Sequence, residues 1–216
     1  MNTLVIGGTG FLGYHTTLKL LSRGHRVSVL AAPPLPDENL LPADVKITLT
    51  NLEALTDEEL LGCLRGQDGL VFAAGVDDRV VPPRPAYPFF YKGNVLATER
   101  LVRLAVQAGV QRAVIFSSYF LEFERRWPEL RLAEKHPYIR SRVEQERAAL
   151  AAAGSALSLS TLLLPYIFGS MPGRLPLWKP LIEYLNSGLP WVFYPAGGSA
   201  MVAVTEVADA AVMALE

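Results

Sequence analysis

Seven residues near the start of the chain, Gly7-Gly8-Thr9-Gly10-Phe11-Leu12-Gly13, constrain it more than anything else in the sequence. They follow the apolar run Leu4-Val5-Ile6 and open a helical pattern over residues 11–23. Strand, glycine turn and helix in that order make a cradle for a dinucleotide pyrophosphate. Gly7 permits the tight turn, Gly10 lets the backbone approach the phosphates, and Gly13 lets the helix lie close to the strand. Backbone N–H groups at the helix start, with the positive end of the helix dipole, hold the phosphate charge. The glycines fit two registers, Gly7/Gly10/Gly13 and Gly8/Gly10/Gly13, so spacing alone leaves the family open.

Short apolar runs at residues 3–6, 26–30, 45–49, 69–73, 113–117 and 157–163 predict strands. Most are β-branched or leucine-rich, as buried parallel strands are. Helical patterns lie at 11–23, 57–65, 89–108 and 136–153. Thr56 and Glu59 form a capping box, and Gly24, Gly66, Gly109 and Gly154 each follow a last helical turn. Such alternation predicts an α/β fold, a doubly wound parallel sheet of about six or seven strands. The run Pro82-Pro83-Arg84-Pro85-Ala86-Tyr87-Pro88 excludes helix and central strand, and its place after the fourth strand predicts that it borders the ligand cleft.

Residues 1–164 read as the nucleotide-binding domain. Residues 165–204, rich in Pro, Gly, Trp and Tyr, read as a partial substrate lobe with one helix at 177–185. Residues 205–216 read as a C-terminal helix without a stop signal, so either the helix frays there or the chain continues.

With 216 residues, half of them hydrophobic, and a net charge of −1, the chain predicts one large core and no electrostatic footprint for nucleic acid or an anionic membrane. The longest apolar runs, such as 157–164, are too short to span a bilayer, and a strand within the first three residues leaves no room for a signal peptide. The lone Cys63 suits a reducing compartment and reads as a buried structural thiol. A cytoplasmic protein is expected. His15, His25 and His136 are far apart, so no metal site is expected.

Several segments together resemble the extended short-chain dehydrogenase/reductase superfamily, of the NAD-dependent epimerase/dehydratase type. Residues 5–13 resemble its cofactor loop, 94–101 the helix entered by its structural asparagine, and 108–118 the approach to its catalytic serine. Residues 137–144 resemble its tyrosine helix, and 164–169 and 204–211 two later landmarks. The resemblance implies a Rossmann-type fold that binds NAD or NADP and acts on a small-molecule substrate by hydride transfer at a secondary alcohol or ketone, a nucleotide-sugar-like one included. It implies Tyr138 as acid/base, Ser118 orienting the carbonyl, Arg142 holding the nicotinamide ribose and tuning the tyrosine, and Asn94 supporting the proton path. Implied cofactor contacts are Gly7, Thr9, Gly10, Phe11, Leu12, Gly13, Asn51, Leu52, Ala73, Ala74, Tyr138, Arg142 and Pro165. Pairing of two copies through the helices at 89–108 and 136–153 is common in the superfamily, so a homodimer is expected.

Two departures bear on activity. Arg142 stands where the superfamily has lysine, four residues after Tyr138. Positions i and i+4 share a helix face, so both still point one way, as a cleft pair or as an inert pair on a solvated face. Arginine supplies charge and donors but cannot pass a proton on. The second strand ends in Ala31-Ala32-Pro33-Pro34, with neither the acid that binds a ribose 2′-hydroxyl nor an arginine for a 2′-phosphate. An alternative is therefore a dinucleotide-binding sensor or regulatory protein with little or no catalysis. Tyr119 offers a second phenol beside Ser118. Asp77 and Arg79 read as a solvated loop or as substrate contacts, and Arg125, Arg126, Trp127, Arg131 and Lys135 as a solvated surface or an anion receptor.

Overall fold

The computed structural model describes residues 1–191, 193 and 196–216; Val192, Tyr194 and Pro195 of the expected lobe lie outside the described residues. In chain order come β1 (Asn2–Ile6), α1 (Phe11–Ser22), β2 (Arg26–Ala31), β3 (Lys46–Leu49), α2 (Asp57–Leu64) and β4 (Gly69–Phe72). There follow α3 (Tyr87–Phe90), a π-helical turn (Tyr91–Leu96), α4 (Ala97–Ala108), β5 (Arg112–Ser118), α5 (Phe120–Arg126), α6 (Leu132–Lys135) and α7 (Pro137–Ala153). The chain then forms β6 (Ser158–Leu164), β7 (Tyr166–Phe168), α8 (Lys179–Leu185), β8 (Met201–Ala203) and α9 (Val204–Leu215).

Six parallel strands form one sheet in the order β3-β2-β1-β4-β5-β6. The order reverses direction between β1 and β4, which opens a crevice at their carboxyl ends. Side chains alternate across each strand. Leu4, Ile6, Leu70, Phe72 and Ile115 pack on one face against leucines of α2 and α4 and alanines of α7. Val5, Val29, Val71 and Val114 pack on the other, against α1 and α9. Leu215 of α9 is fully buried, and a Cβ on Gly69 would lie 3.1 Å from its Cδ2. Burying such a leucine contributes about 1.5–3 kcal/mol.

Local differences from expectation have local causes. The helix expected over 89–108 runs without interruption from Tyr87 to Ala108, but over Tyr91–Leu96 it winds as a π-helical turn, which adds a residue to the winding. Tyr87 and Pro88, expected outside any helix, open α3, because proline is tolerated in a first helical turn. Strands β7 and β8 form a second, two-stranded parallel sheet, too short to signal themselves by pattern. Cys63 is half-buried against the core rather than enclosed.

Candidate active site

The glycine turn between β1 and α1 is closely packed at Gly7, Gly8 and Gly13. Gly7 has φ +83°, and a Cβ there would lie 2.9 Å from the Ala73 carbonyl. Gly8 faces Val29, whose methyls would be 2.7 Å from an added Cβ. Both glycines of the doubled register are thus needed, Gly7 as the turn residue and Gly8 for packing. At Gly13 an added Cβ would fall 2.2 Å from the Gly7 carbonyl oxygen. Gly10 caps α1 without any side-chain acceptor, and the first turn carries no acid. The leading N–H groups of α1 therefore meet no capping side chain and no acid of that turn, and the residues present fit a dinucleotide pyrophosphate.

The strand ends of β4 and β5 open into a cleft of about 610 Å³. It is lined by eight of the expected site residues: Phe11, Leu12, Ala73, Ala74, Ser118, Tyr138, Arg142 and Pro165. Asn51 and Leu52 stand apart from this cleft, after β3 on the far side of the sheet order. Asn51 is exposed, and Leu52 packs against the core.

Tyr138 and Arg142 are 4% and 6% exposed, so they are not a solvated surface pair. The Arg142 guanidinium carbon lies 5.2 Å from the Tyr138 ring centre. Arg142 Nη1 donates to Gln145 Oε1 at 2.8 Å and Nη2 to the Val76 carbonyl at 3.1 Å, while Nε, also buried, has no partner among the described residues. Phe90 and Phe120 meet the Tyr138 ring edge-on, at 5.6 and 6.3 Å between centres.

Asn94 is fully buried in the π-helical turn. Its Oδ1 accepts from the Val76 N–H at 2.8 Å, and its Nδ2 donates to the Val76 carbonyl at 3.0 Å and to Ser141 Oγ at 3.1 Å. Gly75, at φ +146°, leaves room for this; an added Cβ would lie 3.1 Å from Asn94 Oδ1. Asn94 thus supports the cleft from behind rather than lining it.

Ser118 Oγ accepts weakly from the Phe120 N–H at 3.4 Å, at the start of α5. Ser117 Oγ, in the same cleft wall, is buried without a partner among the described residues. Tyr119 lines the cleft too, its ring centre 4.7 Å from that of Phe123. The i, i+4 pair Glu122–Arg126, with an acid in the first turn and Arg125 and Arg126 in the last, is a local sequence signal that marks α5.

Asp77 and Arg79 border the cleft as an ion pair. Burial works against the Asp77 carboxylate, but hydrogen bonds and charge from Arg79 outweigh it and hold the group below its ordinary value. The prolines at 82–88 do not line the cleft; Tyr87 instead bonds Glu144 of α7. Arg125, Arg126 and Arg131 pair with Glu146, Glu122 and Glu134, and Lys135 donates to the Leu130 carbonyl at 2.7 Å. That cluster is matched internally, which leaves little for an external anion. His15 bonds the Ser170 carbonyl at 2.9 Å and ties α1 to the segment after β7. Among the described residues no cluster has metal-ligand character, and no helix is long and apolar enough to cross a membrane.

The sheet order, the glycine cradle and the cleft at the strand ends define a Rossmann-type nucleotide-binding protein. The chain matches the NAD dependent epimerase/dehydratase family over residues 3–216 and belongs to it. It is similar to the human sterol-4-alpha-carboxylate 3-dehydrogenase, decarboxylating, 30% identical over 194 residues, which are 85% of this chain and 48% of that protein. It is also similar to a UDP-glucose 4-epimerase of Neisseria meningitidis, 31% identical over 127 residues, 54% of this chain and 36% of that one. Among solved structures, MoeE5 in complex with UDP-glucuronic acid and NAD superposes with a TM-score of 0.75 at 27% identity, over 99% of this chain and 72% of that one. The chain therefore spans half or less of the length of these curated relatives.

Proposed function

We propose that this chain is an NAD(P)-dependent oxidoreductase, epimerase or dehydratase whose first step is hydride transfer at a secondary alcohol or ketone. The observation that carries the reading is the burial of Tyr138 and Arg142 together in a cleft that Ser118 also lines. The pyrophosphate would rest on Gly7, Thr9, Gly10, Phe11, Leu12 and Gly13. Asn51 and Leu52 would lie toward the adenine, and Ala73, Ala74, Tyr138, Arg142 and Pro165 along the rest of the cofactor. When bound, the nicotinamide supplies or accepts the hydride.

The chain's own residues handle the oxygen. Tyr138 takes the hydroxyl proton when the alcohol is oxidised and returns it on reduction. Ser118 Oγ donates a hydrogen bond to the same oxygen and orients it. Arg142 has further N–H groups beyond its two bonded ones, and these suit ribose hydroxyls. Asn94 keeps the Val76 backbone in place beside them. Substrate choice rests with the lobe. A nucleotide sugar is suggested by likeness to the epimerases and a sterol-like alcohol by likeness to the human dehydrogenase. A cytoplasmic setting and pairing through α4 and α7 belong to the same reading.

One observation favours a second reading, a dinucleotide-binding protein with little turnover. Arg142 replaces the family's lysine, and its guanidinium already bonds Gln145 and Val76. Calorimetric titration with NAD⁺, NADP⁺ and their reduced forms comes first. Failure of all of them to bind at millimolar concentration would sink both readings. Binding followed by turnover of a secondary alcohol or ketone, lost in Tyr138→Phe, supports the enzyme. Binding with no turnover on either substrate class, before or after Arg142→Lys, supports the sensor.

A further inference from the structure

Arginine at position 142 poses a problem that lysine would not. A buried guanidinium is planar and permanently charged, and it needs acceptors in its own plane. The chain supplies one from the same helix. Gln145 Oε1 accepts from Arg142 Nη1 at 2.8 Å, and Gln145 Nε2 donates to Thr98 Oγ1 of α4, also at 2.8 Å. Arginine only donates, so Arg142 itself requires the amide oxygen to face it, and the Thr98 hydroxyl holds the other end of the amide in place. Gln145 and Thr98 are 1% and 0% exposed. Tyr138, Arg142 and Gln145 stand at i, i+4 and i+7 along α7, one face of the helix.

The chemistry of the acceptor matters as much as its place. A carboxylate at position 145 would hold the guanidinium equally well but would cancel its charge inside the cleft wall. A carboxamide holds it and leaves the charge intact. Arg142 forms no ion pair among the described residues; its two acceptors are both neutral, and Asp77 of the same cleft, which acts on it by charge, is itself paired with Arg79.

We propose that Gln145, itself oriented by Thr98, is a positioning residue that fixes the Arg142 guanidinium toward the cofactor ribose without neutralising it. This is what lets arginine serve at the helix position where the family resemblance places lysine. The inference rests on the reading of Arg142 as a cofactor residue, and its test separates the two.

The first arm needs no cofactor. Arginine side-chain ¹⁵N spectra of the protein should show separate, slowly rotating Nη signals for Arg142, assigned by their loss in Arg142→Lys. Gln145→Leu should merge them and Gln145→Glu should restore them. Thr98→Val, which frees the amide while keeping the shape, carries the same measurement should Gln145→Leu not fold. Signals unchanged in Gln145→Leu, or in Thr98→Val where that variant stands in, overturn the hold. In the second arm, Gln145→Leu should weaken NADH or NADPH binding about tenfold, the loss of a hydrogen bond to a charged group. Added to Arg142→Lys, it should change the affinity by no more than about twofold. Equal losses in both backgrounds would mean a packing role and overturn the proposal. Gln145→Glu should keep the parent's affinity while turnover falls about tenfold, a charge effect on the reacting oxygen; turnover equal to the parent's overturns the claim about charge. A parent that binds no dinucleotide overturns the functional reading and the ribose assignment with it, while the Nη signals judge the Gln145 hold by themselves.

Discussion

Asn94 and Arg142 hydrogen-bond the same backbone oxygen, the carbonyl of Val76, at 3.0 and 3.1 Å. One donor comes from the π-helical turn before α4 and the other from the middle of α7. The loop after β4 is thereby fixed from two helices at a single atom, and both lone pairs of a half-buried carbonyl are used. A π-helical turn is rare, and its occurrence at a site of this kind is a recurring pattern.

Asn94→Ala should remove that clamp. The Val76 N–H and carbonyl lose their buried partner, which costs about 2 kcal/mol or more of folding stability. Denaturant unfolding would register the loss, and dinucleotide affinity measured on the same variant should fall with it. Unchanged stability would mean that Val76 finds other partners.

Two glycine substitutions should act in opposite directions. Gly13→Ala places a Cβ 2.2 Å from the Gly7 carbonyl oxygen, so the turn must shift. Such overpacking costs about 1–3 kcal/mol, and the shift should abolish dinucleotide binding. Gly62→Ala lies in the interior of α2, where an added Cβ meets nothing within 4 Å. It should stabilise the protein by about 0.5–1 kcal/mol with no effect on binding. Thermal unfolding with calorimetry on both variants checks the pair.

Tyr87 carries an alkaline signature. Burial, the hydrogen bond to Glu144 and the charge of Glu144 push its phenol up to about 12 from an ordinary 10.0. Because the folded value is raised, this stabilisation is complete below the unfolded value and is lost as pH rises through about 12. A phenolate absorbance titration of the parent minus Tyr87→Phe should isolate one tyrosine ionising near that pH. A difference curve centred on 10.0 would show that the Glu144 contact does not persist in solution.

Asp77 behaves in the opposite sense. Its folded value lies below the ordinary 3.8, because Arg79 outweighs the effect of burial. Its contribution is present above 3.8 and fades as pH falls through the lower folded value. Between neutral and strongly acid pH the parent should therefore lose more stability than Asp77→Asn. Identical acid profiles would mean the pair adds nothing.

Much of this protein is legible before any coordinates. The glycine spacing after Leu4-Val5-Ile6, the capping box at Thr56 and Glu59, and the apolar strands announce their elements because each is a local matter of backbone freedom, capping or burial. The four-residue spacing of Tyr138 and Arg142 likewise places them on one face of α7. The winding of the chain at Asn94 is less legible, since a π-helical turn depends on what the extra residue meets, here Val76 and Ser141. The strands β7 and β8 are three residues each and pair across more than thirty positions, so no local pattern marks them.

The sequence by itself determined the alternating α/β order, the glycine turn between β1 and α1 and which face of α7 carries Tyr138 and Arg142. These follow from periods and propensities that act within a few residues. Only the tertiary structure decided that this face is buried in a cleft wall rather than solvated, that Arg142 meets Val76, and that Gln145 meets Thr98. Burial and contacts of this kind arise when segments distant in sequence close on one another; the spacing of Arg142 and Gln145 makes them neighbours on α7, but no spacing along the chain encodes the meeting with Val76 or Thr98.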